Sequence, residues 1–243
     1  MRRFLRVIAA GAAAFLLVLI VRFPARWAMS ALPRGLACEQ VAGTLWSGTC
    51  AGLIAWNTRL GDLSWTMHPL PLFAGRLDVD VALSGGGGSA RARLELNPTG
   101  AVLARGVHAA FPLERRLIPE LPPGTGGTAE VDLASLRWNG KRVTQIRGEI
   151  DVRDLTAERD EPLGSYRLVF PGGTGDEPVG EANDLGGPFA LRATVRLTRE
   201  PGYLIEGLIA ARPSAFPDLV SQLRYLGPPD AQGRRQFSVS GTF

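Results

Sequence analysis

The chain has 243 residues, of which 45% are hydrophobic and 21% charged. That balance excludes a disordered protein and leaves room for one ordinary domain behind a short membrane anchor. The net charge of +4 is no nucleic-acid footprint: Lys141 is the only lysine, the arginines are spread among Asp and Glu, and no run of five basic residues occurs.

The first element is the anchor. Arg2, Arg3 and Arg6 precede an apolar run from Val7 to Val21, which Arg22 closes. These 15 residues are short of the roughly 20 that cross a bilayer, but Phe4 to Phe23 is long enough if Arg6 and Arg22 snorkel to the two headgroup layers. Trp27 then falls where an interfacial aromatic belongs. A cleaved signal peptide with Ala28 and Ser30 beyond its apolar core is the competing reading, against which Arg22 and Arg26 count. The expected organisation is a cytoplasmic stub and transmembrane anchor over residues 1–27, with one β domain over residues 28–243.

Cys38 and Cys50 are the only cysteines. Two of them about twelve positions apart suit one disulfide in an oxidising compartment, a free buried pair being the alternative. The arginines flanking the anchor barely decide its orientation. With the disulfide reading, the bulk of the chain lies in the periplasm of a bacterium with two membranes.

From Val41 onward the period is two. Leu63, Trp65 and Met67 alternate with polar neighbours, as do Leu77, Val79, Val81 and Leu83, then Leu94 and Leu96. Ile146, Ile150 and Val152 repeat the scheme, followed by Leu191, Ala193, Val195 and Leu197, and by Phe237, Val239 and Phe243. Such alternation predicts strands with one wet and one buried face, hence antiparallel sheet. Turn signals separate them: Gly85–Gly88, Asn97-Pro98-Thr99-Gly100, Asn139-Gly140 as a two-residue hairpin, and Arg199-Glu200-Pro201-Gly202. A phase shift predicts a bulge near Ala134-Ser135. Helix is expected over Ser214–Tyr225, stopped by Gly227-Pro228-Pro229, and in a short stretch at Phe111–Ile118. Pro171–Leu185 reads as loop. The fold class is therefore all-β: a large twisted antiparallel sheet behind one transmembrane helix, with one short helix near the C-terminus.

Chemistry is scarce. His68 and His108 lack any metal-ligand spacing, and His68 reads as an exposed or hydrogen-bonded structural residue. Ser47 follows Leu45-Trp46 without the first glycine of a nucleophile elbow. No glycine-rich stretch leads into GK[ST] or a phosphate-holding helix. The Asp78/Asp80 and Asp151/Asp154 pairs read as the wet faces of strands. Catalytic residues, metal ligands and cofactor are all expected to be none, and the protein is expected not to be an enzyme. Trp46, Trp56, Trp65 and Trp138 read as core packing, or as the lining of a groove where a strand or an acyl chain docks.

Three blocks carry a family resemblance. The first is Val41-Ala42-Gly43-Thr44-Leu45-Trp46-Ser47-Gly48 with Leu63-Ser64-Trp65, Pro69 and Gly75. The second is Gly202-Tyr203, Gly207 and Ala211-Arg212-Pro213. The third is Leu226-Gly227-Pro228-Pro229-Asp230, Gly233-Arg234 and Ser238–Gly241. In this order, behind an anchor, they resemble the type II secretion system protein N family, with AsmA-like envelope proteins as distant relatives. The resemblance implies a single-pass inner-membrane accessory component that acts by protein contacts in the export of folded proteins. Its implied partners are the inner-membrane platform and the outer-membrane secretin, with no nucleic acid. A lipid-binding or lipid-transfer protein of the AsmA type, holding lipid on its apolar face, is the alternative.

Overall fold

The computed structural model describes residues 11, 15, 18, 19, 21–29, 35–55, 58–118, 121–157, 161–173, 175 and 177–242. Most of the expected anchor Phe4–Phe23 lies outside them, as do Trp56 and Phe243. Among the described residues no helix is long and apolar enough to cross a membrane. Positions 11, 15, 18, 19 and 21 are nonetheless helical, and the Arg22 N–H donates to the Val18 carbonyl at 2.9 Å.

The alternating apolar positions form antiparallel strands, as their period requires, and the chain divides into two compact units, Met1–Gly86 and Gly87–Phe243. The first contains helix α1 (Ala25–Met29), then β1 (Leu36–Gly43), β2 (Ser47–Ala55), β3 (Thr58–His68), a 3-10 turn (Leu70–Ala74) and β4 (Leu77–Gly85). Its strands pair in sequence order, β1-β2-β3-β4. Leu63, Trp65 and Met67 are half-buried while Asp62, Ser64 and Thr66 are exposed, so the period of two is seen directly in β3. Cys38 and Cys50 form a disulfide across β1 and β2, with a Cα–Cα distance of 5.6 Å. Cys50 is fully buried, and Ala25, Leu53 and Ala55 are the other buried apolar residues described in this unit.

The second unit is a longer meander: β5 (Gly88–Leu96), β6 (Val102–Pro112), β7 (Gly126–Trp138), β8 (Val143–Thr156), β9 (Pro162–Phe170), β10 (Val179–Asp184), β11 (Phe189–Leu197), β12 (Gly202–Ala211) and β13 (Arg235–Thr242). Each strand pairs with the next in the chain. Register places Val107, Leu133, Gly148 and Phe170 in one row, and Gly180, Val195, Ile205 and Val239 continue it. Phe170 reaches over Gly180, where a Cβ would come within 2.8 Å of the ring. Glycine there lets the ring close the row, and Leu133, Ile146, Phe170 and Val195 become the buried core. Burying one such side chain contributes about 2–3 kcal/mol.

On the other face Glu130, Asp151 and Arg167 stand opposite one another. Arg167 grips Asp151 with two N–H donors, at 2.7 and 2.6 Å, and Arg153 bridges Asp151 and Glu130 at 3.1 and 2.8 Å. Asp151 is only 5% exposed, so the expectation of a wet-face aspartate fails there. Two guanidinium groups cover the carboxylate, which water would otherwise have solvated. The hydrogen bonds from Arg167 hold the Asp151 carboxyl below its ordinary range, against the opposing effect of burial.

Further differences from the sequence expectation have local causes. Phe111 and Pro112 belong to β6, paired with Ala129 and Thr128, so the expected helix Phe111–Ile118 shrinks to one turn after Glu114. The ladder with β7 claims those residues first. Residues 139–142 form the β7–β8 connection, longer than the expected Asn139-Gly140 turn by Lys141 and Arg142, because Asn139 Oδ1 accepts the N–H groups of both. The expected bulge is present in β7, where Ala134 is the extra residue between Leu133, paired with Gly148, and Ser135, paired with Arg147. Within the stretch read as loop, β10 forms between β9 and β11. Near the C-terminus helix α2 spans only Pro217–Gln222, started by Pro217, and a 3-10 turn (Leu223–Leu226) carries the chain to Gly227.

Candidate functional site

In a meander, alternate connections lie at the same end of the sheet. Ser47 pairs with Thr66 and His68 with Asp78, so the β1–β2 turn and the β3–β4 connection share one end of the first unit. Most of the first motif block collects there. Gly43 and Gly48 face each other across the β1–β2 turn, and within it the Ser47 N–H donates to Thr44 Oγ1. The Trp65 indole N–H donates to the Leu45 carbonyl at 3.1 Å, and the Met67 N–H to the Trp46 carbonyl at 2.6 Å. The Trp65 ring lies against Gly48, where a Cβ would collide with it. Leu63 stands two register steps further along β3, opposite Cys50. Trp65 is half-buried and clamps the β1–β2 turn, as packing would have it, whereas Trp138 is 39% exposed.

The β3–β4 connection begins at Pro69 and ends at Gly75, which caps the 3-10 turn in the left-handed conformation with φ 69°. Its N–H donates to the Leu72 carbonyl, and the Arg76 N–H to that of Pro71. These bonds pair part of the backbone within the turn, while its apolar side chains are exposed: Leu70 is 78% exposed and Phe73 92%. At this same end the chain arrives from the apolar N-terminal segment. Pro24 bridges Thr44, and the Leu45 N–H donates to the Phe23 carbonyl at 2.9 Å.

The third block is a turn in the second unit. Asp230 Oδ1 accepts the N–H groups of Gln232 and Arg234, Oδ2 accepts from Arg234 Nε at 2.8 Å, and the Gly233 N–H donates to the Asp230 carbonyl. The backbone N–H of Arg234 holds the Asp230 carboxyl below its ordinary range, opposed by desolvation and helped by the guanidinium. Arg235 reaches back to the Gly227 carbonyl. This turn feeds β13, the last strand of the order, of which residues 236–242 carry no charge and Val239 is 48% exposed. From the second block, Gly207 backs onto Ala193 without room for a side chain. Arg212 donates to Asp184 at 2.6 Å, fixing the β10–β11 turn. Burial pushes the Asp184 carboxyl up, but Arg212 and the N–H groups of Leu191 and Gly186 outweigh it and leave it low.

The histidines sit in pairs with carboxylates, His68 Nε2 to Asp80 at 2.6 Å and His108 Nδ1 to Asp132 at 3.2 Å. Ser47 opens strand β2. Among the described residues no group of three or more His, Cys, Asp or Glu is placed to hold a metal ion. His108 and Asp132 pair across the middle of β6 and β7, whereas Trp65, Arg212 and Asp230 brace turns at the ends of strands.

The family model for type II secretion system (T2SS), protein N, matches residues 34–238. A curated relative, the type II secretion system protein N of Vibrio cholerae serotype O1 (strain ATCC 39315 / El Tor Inaba N16961), is 27% identical over 241 residues. The alignment covers 91% of this chain and 92% of that protein. No solved structure matches the chain.

Proposed function

This chain belongs to the type II secretion system protein N family, and from that premise we propose that it is a single-pass inner-membrane accessory subunit of the secretion machine. Residues 1–27 provide the cytoplasmic stub and anchor, and residues 28–243 stand in the periplasm. The apolar run Phe4–Phe23 supports the anchor, and the Cys38–Cys50 disulfide supports the oxidising side. It works by protein contacts in the export of folded proteins across the outer membrane, with the inner-membrane platform and the secretin as partners.

The observation that carries the contact mode is β13. An edge strand presents unpaired N–H and C=O groups to any strand that can pair with it, and natural proteins ordinarily guard such an edge with charge. Here the seven residues 236–242 lack that guard. A strand from a secretion partner adding to this edge accounts for it.

The test is site-directed photocrosslinking in cells, with the probe at Val239 of the full chain and mass spectrometry of the adducts. Platform or secretin subunits are the expected product. Phospholipid without any secretion subunit would overturn the reading and move the assignment to AsmA-like lipid binding.

A further inference from the structure

We propose that the β3–β4 connection, Leu70–Ala74, is a second membrane contact that dips into the same lipid leaflet from which the anchor emerges. The inference rests on the reading of residues 1–27 as an anchor and concerns the first unit alone.

Register fixes the placement. The β1–β2 turn receives the chain as it leaves the apolar segment, through the Pro24–Thr44 bridge and the Leu45–Phe23 hydrogen bond. The β3–β4 connection is at that same end, since Ser47 pairs with Thr66 and His68 with Asp78. A sheet held by its anchor at this end must therefore present Leu70–Ala74 towards the bilayer surface.

The chemistry of the segment suits that position. Residues 69–75, Pro-Leu-Pro-Leu-Phe-Ala-Gly, carry no charge, and Leu70, Leu72 and Phe73 are 78%, 41% and 92% exposed. Leu and Phe at such exposure belong to the class of apolar surface that marks an interaction site. Part of the turn's backbone polarity is already paired, because Leu72, Gly75 and Arg76 donate their N–H groups to the Pro69, Leu72 and Pro71 carbonyls. Exposed Arg76 follows the apolar stretch, and exposed Arg22 and Arg26 flank the anchor. Cationic groups beside an inserted apolar tip are what an anionic headgroup layer attracts. Lipid is the occupant because the tip shares its end of the sheet with a segment that itself enters lipid.

The test uses the full chain, disulfide intact, reconstituted into vesicles of phosphatidylethanolamine and phosphatidylglycerol. An NBD label is placed at Ala74→Cys, which keeps Leu70, Leu72 and Phe73. Blue-shifted emission, quenched about twofold by lipid bearing a nitroxide roughly 5–10 Å below the headgroups, is the expected result. Adding Phe73→Asp to that chain should return the label to water. A Phe15→Cys label reports on the anchor, and a Tyr225→Cys label, at a residue 91% exposed, supplies the water reference. An Ala74 label that matches the water reference overturns the contact, whereas only an unquenched Phe15 label overturns the anchor. Shielding of the Ala74 label by added platform subunits, without quenching from lipid, also overturns it in favour of a protein contact.

Discussion

In the first unit the buried apolar residues described are Ala25, Cys50, Leu53 and Ala55, and a covalent bond joins β1 to β2. In the second, Leu133, Ile146, Phe170 and Val195 form a core cluster on one face, while Asp151 between Arg153 and Arg167 locks the other. A four-stranded sheet buries little, so a cross-link that restricts the unfolded chain contributes a larger share of its stability. A nine-stranded meander packs large side chains from several strands into one row and can rely on burial.

Truncating Phe170 to Ala is the largest test of that contrast. It should cost about 4 kcal/mol, read from urea unfolding, with faster amide exchange in β9 to β11. Equal acceleration in β1 to β4 would break the comparison. Reducing the disulfide, or replacing both cysteines with Ser, should cost about 3 kcal/mol, with faster exchange concentrated in β1 and β2. Little change there would mean that the small core suffices.

Asp151→Asn should cost about 2 kcal/mol, less than a fully buried pair would, because Arg153 and Arg167 are partly exposed and can rehydrate. The same residue gives a pH signature. Asp151 and Asp184 both titrate lower in the folded protein than in the unfolded chain, so the stability they add is complete above the ordinary carboxylate range. It is lost as pH falls through their folded values. Urea midpoints measured across that acid window should fall less steeply for Asp151→Asn than for the parent. Asp230→Ala should give the smallest effect, faster exchange at the Gln232 and Arg234 amides with no shift in the global midpoint.

The strands were legible because a half-buried strand must alternate, and Leu63–Met67 or Leu191–Leu197 show that alternation without help from the rest of the chain. The bulge after Leu133 was legible for the same reason, since an extra residue flips the phase. What was illegible depended on neighbours. The sequence of β10, Val-Gly-Glu-Ala-Asn-Asp, has poor strand propensity, and only pairing on both sides makes it a strand. Phe111 reads as well in a helix until β7 takes it. Asp151 looks like any solvated aspartate until Arg167, sixteen residues away, closes over it. The motif block around Trp46 and Trp65 could be picked out, but not the hydrogen bond from Trp65 to Leu45 twenty residues earlier, nor the meeting of two turns at one end of the sheet.

Within each unit every strand is hydrogen-bonded to the strand next in the chain, so no pairing has to wait for a distant segment to be made. Loop closure between successive strands costs little entropy, and each completed hairpin is a template for the strand that follows. A protein that emerges N-terminus first can therefore build its sheet as it is delivered, one hairpin at a time. Until the next strand arrives, the growing end is an open edge, and among the described strands β13 is the last to be added.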